Sequence, residues 1–274
     1  MTMVSLQALE TYLWWFTMLG YLVLYARLRQ NGLHRVYRFF SAYLIFRALR
    51  TVLLEAVPFI ARLIDNRPNV HFATNAYAWV WAPTQIVLWF FYIVVVLEVY
   101  SLVLQNYKGI ASLGRWVLMG GLLISLVVSS LSLWTDLSNP SEQFPRILLV
   151  LAIDRGIVSS LVIFLLVITG LLAWYPVPLS RNVVVHCVAY AVYFLPLALA
   201  VLLRNLTGSG TTQVVNIVQS CITIACLAVW IAFLNREGES RMFRMLRRPA
   251  VHDEEILVEN LAAINSTLLR AARK

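Results

Sequence analysis

The stretch FFSAYLIFRALRTVLLEAVPFIA, Phe39–Ala61, decides the architecture. It is long and apolar enough to cross a bilayer, yet it carries Arg47, Arg50 and Glu55. Ionisable groups near the centre of a spanning helix cost about 2.5–3.5 kcal/mol each on the insertion scale, so they belong opposite one another, in a cavity or at the interface. Whether this stretch crosses fixes the number of spans and the side on which every later loop falls.

Outward from it, apolar runs of spanning length recur near Leu9–Leu28, Ala78–Leu104, Trp116–Trp134, Ile147–Trp174, Val183–Leu203 and Gln213–Leu234. With Phe39–Ala61 included, the count predicts seven helices. An N-terminus outside then puts Arg27, Arg29, Arg35, Arg38, Lys108, Arg115, Arg181, Arg236, Arg241, Arg244, Arg247 and Arg248 in the cytoplasm. Only Arg62, Arg67, Arg146 and Arg204 are left outside. Dropping Phe39–Ala61 would move Lys108, Arg115 and the arginine-rich tail to the outer face, so the positive-inside bias requires that segment to cross. The first run lacks the basic stretch before it and the small-residue cleavage site after it that mark a signal peptide, and reads as a retained helix.

Composition agrees. Hydrophobic residues make up 61% of the chain and charged residues 13%, far from soluble usage. The net charge of +9 is distributed in short clusters between apolar runs, which sets orientation and argues against a nucleic-acid partner. Cys187, Cys221 and Cys226 all lie in apolar segments, as small hydrophobes rather than halves of disulfides. The expected fold is an all-α membrane protein: a seven-helix bundle over residues 1–235, N-terminus outside, in the cell membrane. Residues 236–274 follow as a basic juxtamembrane segment and a cytoplasmic amphipathic helix.

On a helical wheel Arg47, Arg50, Thr51 and Glu55 fall within about 140°, so the second helix turns its charges to one side, toward the bundle. By depth, Arg47 matches Glu98 of the third helix, and Glu55 matches Arg155 of the fifth. Glu98, Asp154 and Arg155 lie near span ends, where snorkelling or stapling of helices is the simpler reading; Arg47 and Arg50 are assigned an interior role. In the seventh helix Thr212, Gln213, Asn216, Gln219, Ser220 and Thr223 share a sector of about 120°. Such a stripe lines a pocket or bonds neighbouring helices, the latter for an average of about 0.6 kcal/mol per contact. Arg47, Arg50, Glu55, Gln85, Arg155, Asn216, Gln219 and Thr223 are therefore the candidate ligand-binding residues, and Glu55, Glu98 and Asp154 the candidates for proton or ion coupling.

Other features carry less. His186, Tyr190 and Tyr193 follow at helical spacing before Pro196, and read as core packing with a hydrogen-bonded imidazole. Gly121, Ser125 and Ser129 form a small-residue seam in the fourth helix. Asn205-Leu206-Thr207 matches a glycosylation acceptor hard against a helix end. Arg236 to Arg248, interleaved with Met242, Phe243, Met245 and Leu246, suits a segment on the anionic leaflet. Beyond Pro249, Leu257, Leu261, Ile264, Leu268 and Ala271 make a narrow seam for docking, dimerisation or a cytoplasmic partner.

The only lysines, Lys108 and Lys274, lie outside the helices, which excludes a retinal Schiff base. No nucleophile elbow, HExxH, CxxC or Walker motif occurs, and no cofactor or metal is expected. The first expectation for function is a receptor-like or sensor-like protein with an outward-facing polar pocket for a small molecule. A small-solute or proton-coupled transporter and a membrane scaffold are the competing expectations. Expected partners are the bilayer, a small-molecule ligand, and a cytoplasmic protein or second copy at the tail helix.

Overall fold

The computed structural model describes residues 3–64, 70–103, 116, 119–120, 123, 145–174, 179–207, 212–240, 242–243, 259, 262–263 and 266. It is almost entirely helical. The six long helices are α1 (Met3–Gln30), α2 (Arg38–Ile64), α3 (Val70–Val103), α4 (Pro145–Trp174), α5 (Arg181–Thr207) and α6 (Thr212–Phe233). Each contains or closely matches one of the apolar runs. Within α3 and α6, the stretches Ala76–Val103 and Gln213–Phe233 are long and apolar enough to cross a membrane. The fourth expected span, with its Gly121, Ser125 and Ser129 seam, falls almost wholly outside the described residues. So do the apolar positions of the tail seam.

The long helices pack in a ring in chain order, α1 on α2, α2 on α3, α3 on α4, α4 on α5, α5 on α6, and α6 back on α1. The α3 helix also touches α5 across the middle. Residues that face inward form one apolar core rich in rings. Phe40, for instance, sits edge-on to Tyr190 at 5.8 Å and tilted against Trp230 at 5.1 Å. The outer faces are apolar too: Leu49 is 61% exposed, Phe90 60% and Ile163 63%. Exposed apolar side chains in this number suit a membrane or protein neighbour.

The connection between α1 and α2 is a tight turn. The amides of Asn31 and Gly32 donate to the carbonyls of Arg27 and Arg29, capping the last turn of α1. Gly32 has φ +71°, the left-handed conformation that costs glycine least. One 3-10 turn, Leu33–Arg35, leads into α2.

After α6 the chain does not leave the bundle. A short helix, α7 (Arg236–Ser240), is followed by a two-residue strand, β2 (Met242–Phe243). This strand pairs antiparallel with β1 (Leu179–Ser180), which links α4 to α5, and aligns Leu179 with Phe243 and Ser180 with Met242. The sequence offers no sign of this pairing, because two residues are too few to show an alternating pattern. The part of the basic stretch that is described, expected on the leaflet as an amphipathic segment, instead packs on the ends of the helices.

Candidate functional site

Arg50 is buried, only 8% exposed. Its Nε donates to Thr84 Oγ1 at 3.1 Å and its Nη2 to Gln85 Oε1 at 2.7 Å, so the planar guanidinium engages two consecutive residues of α3. Gln85 passes the contact on, its Nε2 donating to Asp154 Oδ1 of α4 at 2.7 Å. The indole N–H of Trp89, one turn below Gln85, donates to the same oxygen. A polar chain thus runs Arg50, Gln85, Asp154 through three neighbouring helices. The neutral amide serves both ends, since its oxygen accepts from the cation and its nitrogen donates to the carboxyl group.

Arg47, three residues earlier, takes a different direction. Its Nε and Nη2 both donate to the Tyr21 hydroxyl of α1 at 3.2 Å, and its guanidinium lies 5.5 Å from that ring's centroid. Close by, Tyr43 donates to the Tyr193 hydroxyl at 3.3 Å, which also pairs with the Tyr92 hydroxyl at 3.3 Å. These three phenols come from α2, α5 and α3. A hydroxyl cluster next to a guanidinium satisfies groups that an apolar core would leave costly.

Arg47 and Glu98, similar in expected depth, have separate partners. The Glu98 oxygens accept the backbone N–H groups of Phe39 and Phe40, each at 3.0 Å. A carboxylate on α3 therefore caps the first turn of α2, where unpaired N–H groups and the positive end of the helix dipole favour negative charge. Stapling of helices, the simpler of the two readings for Glu98, describes this contact.

The seventh-span stripe, carried by α6, points elsewhere. Asn216 Nδ2 donates to Glu10 Oε1 of α1 at 2.9 Å, and buried Thr223 bonds the carbonyl of Gln219 on its own helix at 2.8 Å. By their described bonds the candidate residues so fall in separate places: Arg50, Gln85 and Asp154 across α2, α3 and α4, Arg47 across α2 and α1, and Asn216 across α6 and α1. Glu55 is half-buried on α2, within electrostatic reach of Tyr77 on α3, which also senses Arg50. Arg155 belongs to α4, and its side chain lies outside the described residues.

A second polar assembly sits at the arginine-rich end. Glu239 Oε2 of α7 accepts the Tyr37 hydroxyl and the Asn182 Nδ2, both at 3.0 Å, and Asn182 also donates to the Asn235 carbonyl at 2.8 Å. Asn235 Oδ1 in turn accepts the Gly238 amide at 2.6 Å, an N-cap for the short helix. Glycine is required there because a Cβ on residue 238 would stand 2.3 Å from Asn182 Oδ1. Burial, and then the neighbouring Glu239, hold the Tyr37 hydroxyl well above its ordinary pKa and keep it a donor. This clasp fastens the segment after α6 to α5 and to the start of α2. Its members Tyr37, Asn182, Asn235 and Glu239 were not singled out in the sequence.

His186 is 0% exposed and stacked among Tyr37, Phe40, Tyr190 and Trp230. Against the expectation of a hydrogen-bonded imidazole, neither ring nitrogen has a partner among the described residues. The surrounding rings present faces and edges instead of acceptors. Among the described residues no three His, Cys, Asp or Glu side chains gather as a metal site would require.

Comparison of the chain with protein-family models, with curated proteins and with solved structures found no match.

Proposed function

We propose that the chain is a seven-span protein of the cell membrane, N-terminus outside and C-terminus in the cytoplasm, that acts as a sensor-like or receptor-like relay. In this reading, movement of α2, α3 and α4 against one another is delivered to the clasped segment after α6. One observation carries it: the Arg50, Gln85, Asp154 chain joins three helices inside the bundle, while the Tyr37, Asn182, Glu239 clasp joins the ends of α2 and α5 to the exit segment. The α2 helix is common to both, since Tyr37 immediately precedes it and Arg50 lies within it. A relay needs an element that two sites both bias, and α2 meets that requirement. The inward charges and apolar outer faces support a multi-pass bundle, since each intramembrane charge needs a protein partner.

The test uses a reporter thiol at Met242 in a background lacking the three native cysteines. Its rate of modification by a water-soluble maleimide is compared with and without Gln85→Leu, which removes the middle of the chain. The relay reading expects the rate to change by about threefold or more, since a shift of about 0.7 kcal/mol in the clasp equilibrium does that. An unchanged rate in a correctly folded variant overturns it. Reconstituted protein that accumulates a solute against its gradient would favour a carrier instead.

A further inference from the structure

A cavity of about 660 Å³ opens at the arginine-rich end, between the α1–α2 turn and α7. Its walls include Arg29 from the last turn of α1, Gly32, His34 and Arg35 from the turn, and Arg236 and Glu239 from α7. Three arginines and one carboxylate thus line it. That carboxylate already accepts from Tyr37 and Asn182 through Oε2, which leaves the cavity with excess positive charge. The carbonyls of Arg27 and Arg29, which would repel an anion, are occupied by the amides of Asn31 and Gly32. Among the described residues, one buried polar atom of the lining, His34 Nδ1, has no hydrogen-bond partner. Its volume lies within the range of about 300–1,000 Å³ typical of small-ligand sites.

We propose that this cavity binds a phosphate-bearing anion through Arg29, Arg35 and Arg236. Guanidinium groups present paired N–H donors that match phosphate oxygens, and three of them from separate elements suit a tetrahedral anion better than a planar carboxylate. The shared chemistry is a phosphate monoester or diester, supplied either by the headgroup of an anionic lipid or by a soluble phosphate. The proposal stands on the cavity alone and holds whether or not the chain is a relay.

The experiment places the full chain in nanodiscs of phosphatidylcholine and follows its melting temperature in two arms: addition of inorganic phosphate, and replacement of part of the lipid by phosphatidylglycerol without soluble phosphate. Stabilisation in the first arm identifies a soluble anion as ligand, and in the second a lipid headgroup. In either, Arg35→Gln with Arg236→Gln is expected to weaken binding by about tenfold or more, equivalent to about 1.4 kcal/mol. Arg35 and Arg236 are exposed, so the fold tolerates both changes. The single Arg35→Gln variant provides a second measure, with a smaller loss expected. Arg62→Gln, near the opposite end of α2, changes an arginine remote from the cavity and is expected to leave binding unchanged. The proposal is overturned if neither anion stabilises the protein, if the cavity variants bind as well as the parent, or if Arg62→Gln weakens binding equally.

Discussion

At the scale of single residues, the choice of partner matters more than the presence of charge. Gln85 touches Arg50 on one side and Asp154 on the other, whereas Thr223 bonds only a carbonyl of its own helix. A typical hydrogen bond between membrane helices contributes about 0.6 kcal/mol, but bonds to ionised groups contribute about 1.5–3 kcal/mol. Gln85→Leu is therefore expected to lower stability by about 1.5–3 kcal/mol and Thr223→Val by under about 0.5 kcal/mol; melting curves of the purified variants in one detergent check the order. Arg50→Lys is expected to recover only part of what Arg50→Met loses, because one ammonium does not reproduce the fork that reaches Thr84 and Gln85 together. The wheel reading of α2 found the inward face that holds Arg47 and Arg50. It did not separate them, because three positions along a helix differ by only about 60°, and that rotation is enough to send one to Tyr21 and the other to α3. Tyr21, Tyr43 and Tyr92 were hidden for another reason: tyrosine in an apolar run reads equally as interface belt and as core.

At the scale of elements, the six long helices were legible from runs of apolar residues, because backbone satisfaction in a bilayer demands long uninterrupted helices. The clasp was not legible, since it depends on contacts between residues far apart in sequence. Gly238→Ala tests it. The added Cβ has no room beside Asn182, and an overpacked site typically costs about 1–3 kcal/mol, so α7 and β2 are expected to separate and the chain after Asn235 to be cleaved faster by protease. A second check uses alkaline pH. Because the Tyr37 hydroxyl titrates above its ordinary value of 10.0 in the folded state, its contribution to stability is complete below that pH and is lost as pH rises through the higher folded value. Protection of the segment should be flat through neutral pH and fall only above about 10; Tyr37→Phe should lower the neutral protection and remove that part of the alkaline loss.

At the scale of the whole molecule, the ring of helices turns apolar side chains outward and closes α6 against α1. With seven crossings, reporters fused after Asn69 and after Lys274 are expected on opposite sides of the membrane, active outside and inside respectively, and a result with both on one side would remove the topology. The strand pair at the end of the bundle has a further consequence for biosynthesis. Because β2 meets β1 only after α5 and α6 have been made, the seam cannot form until α6 has left the ribosome. A chain interrupted at Asn235 would leave the Tyr37 hydroxyl and the Asn182 amide without Glu239, so the finished seam distinguishes a chain that continues through β2 from one cut before α7.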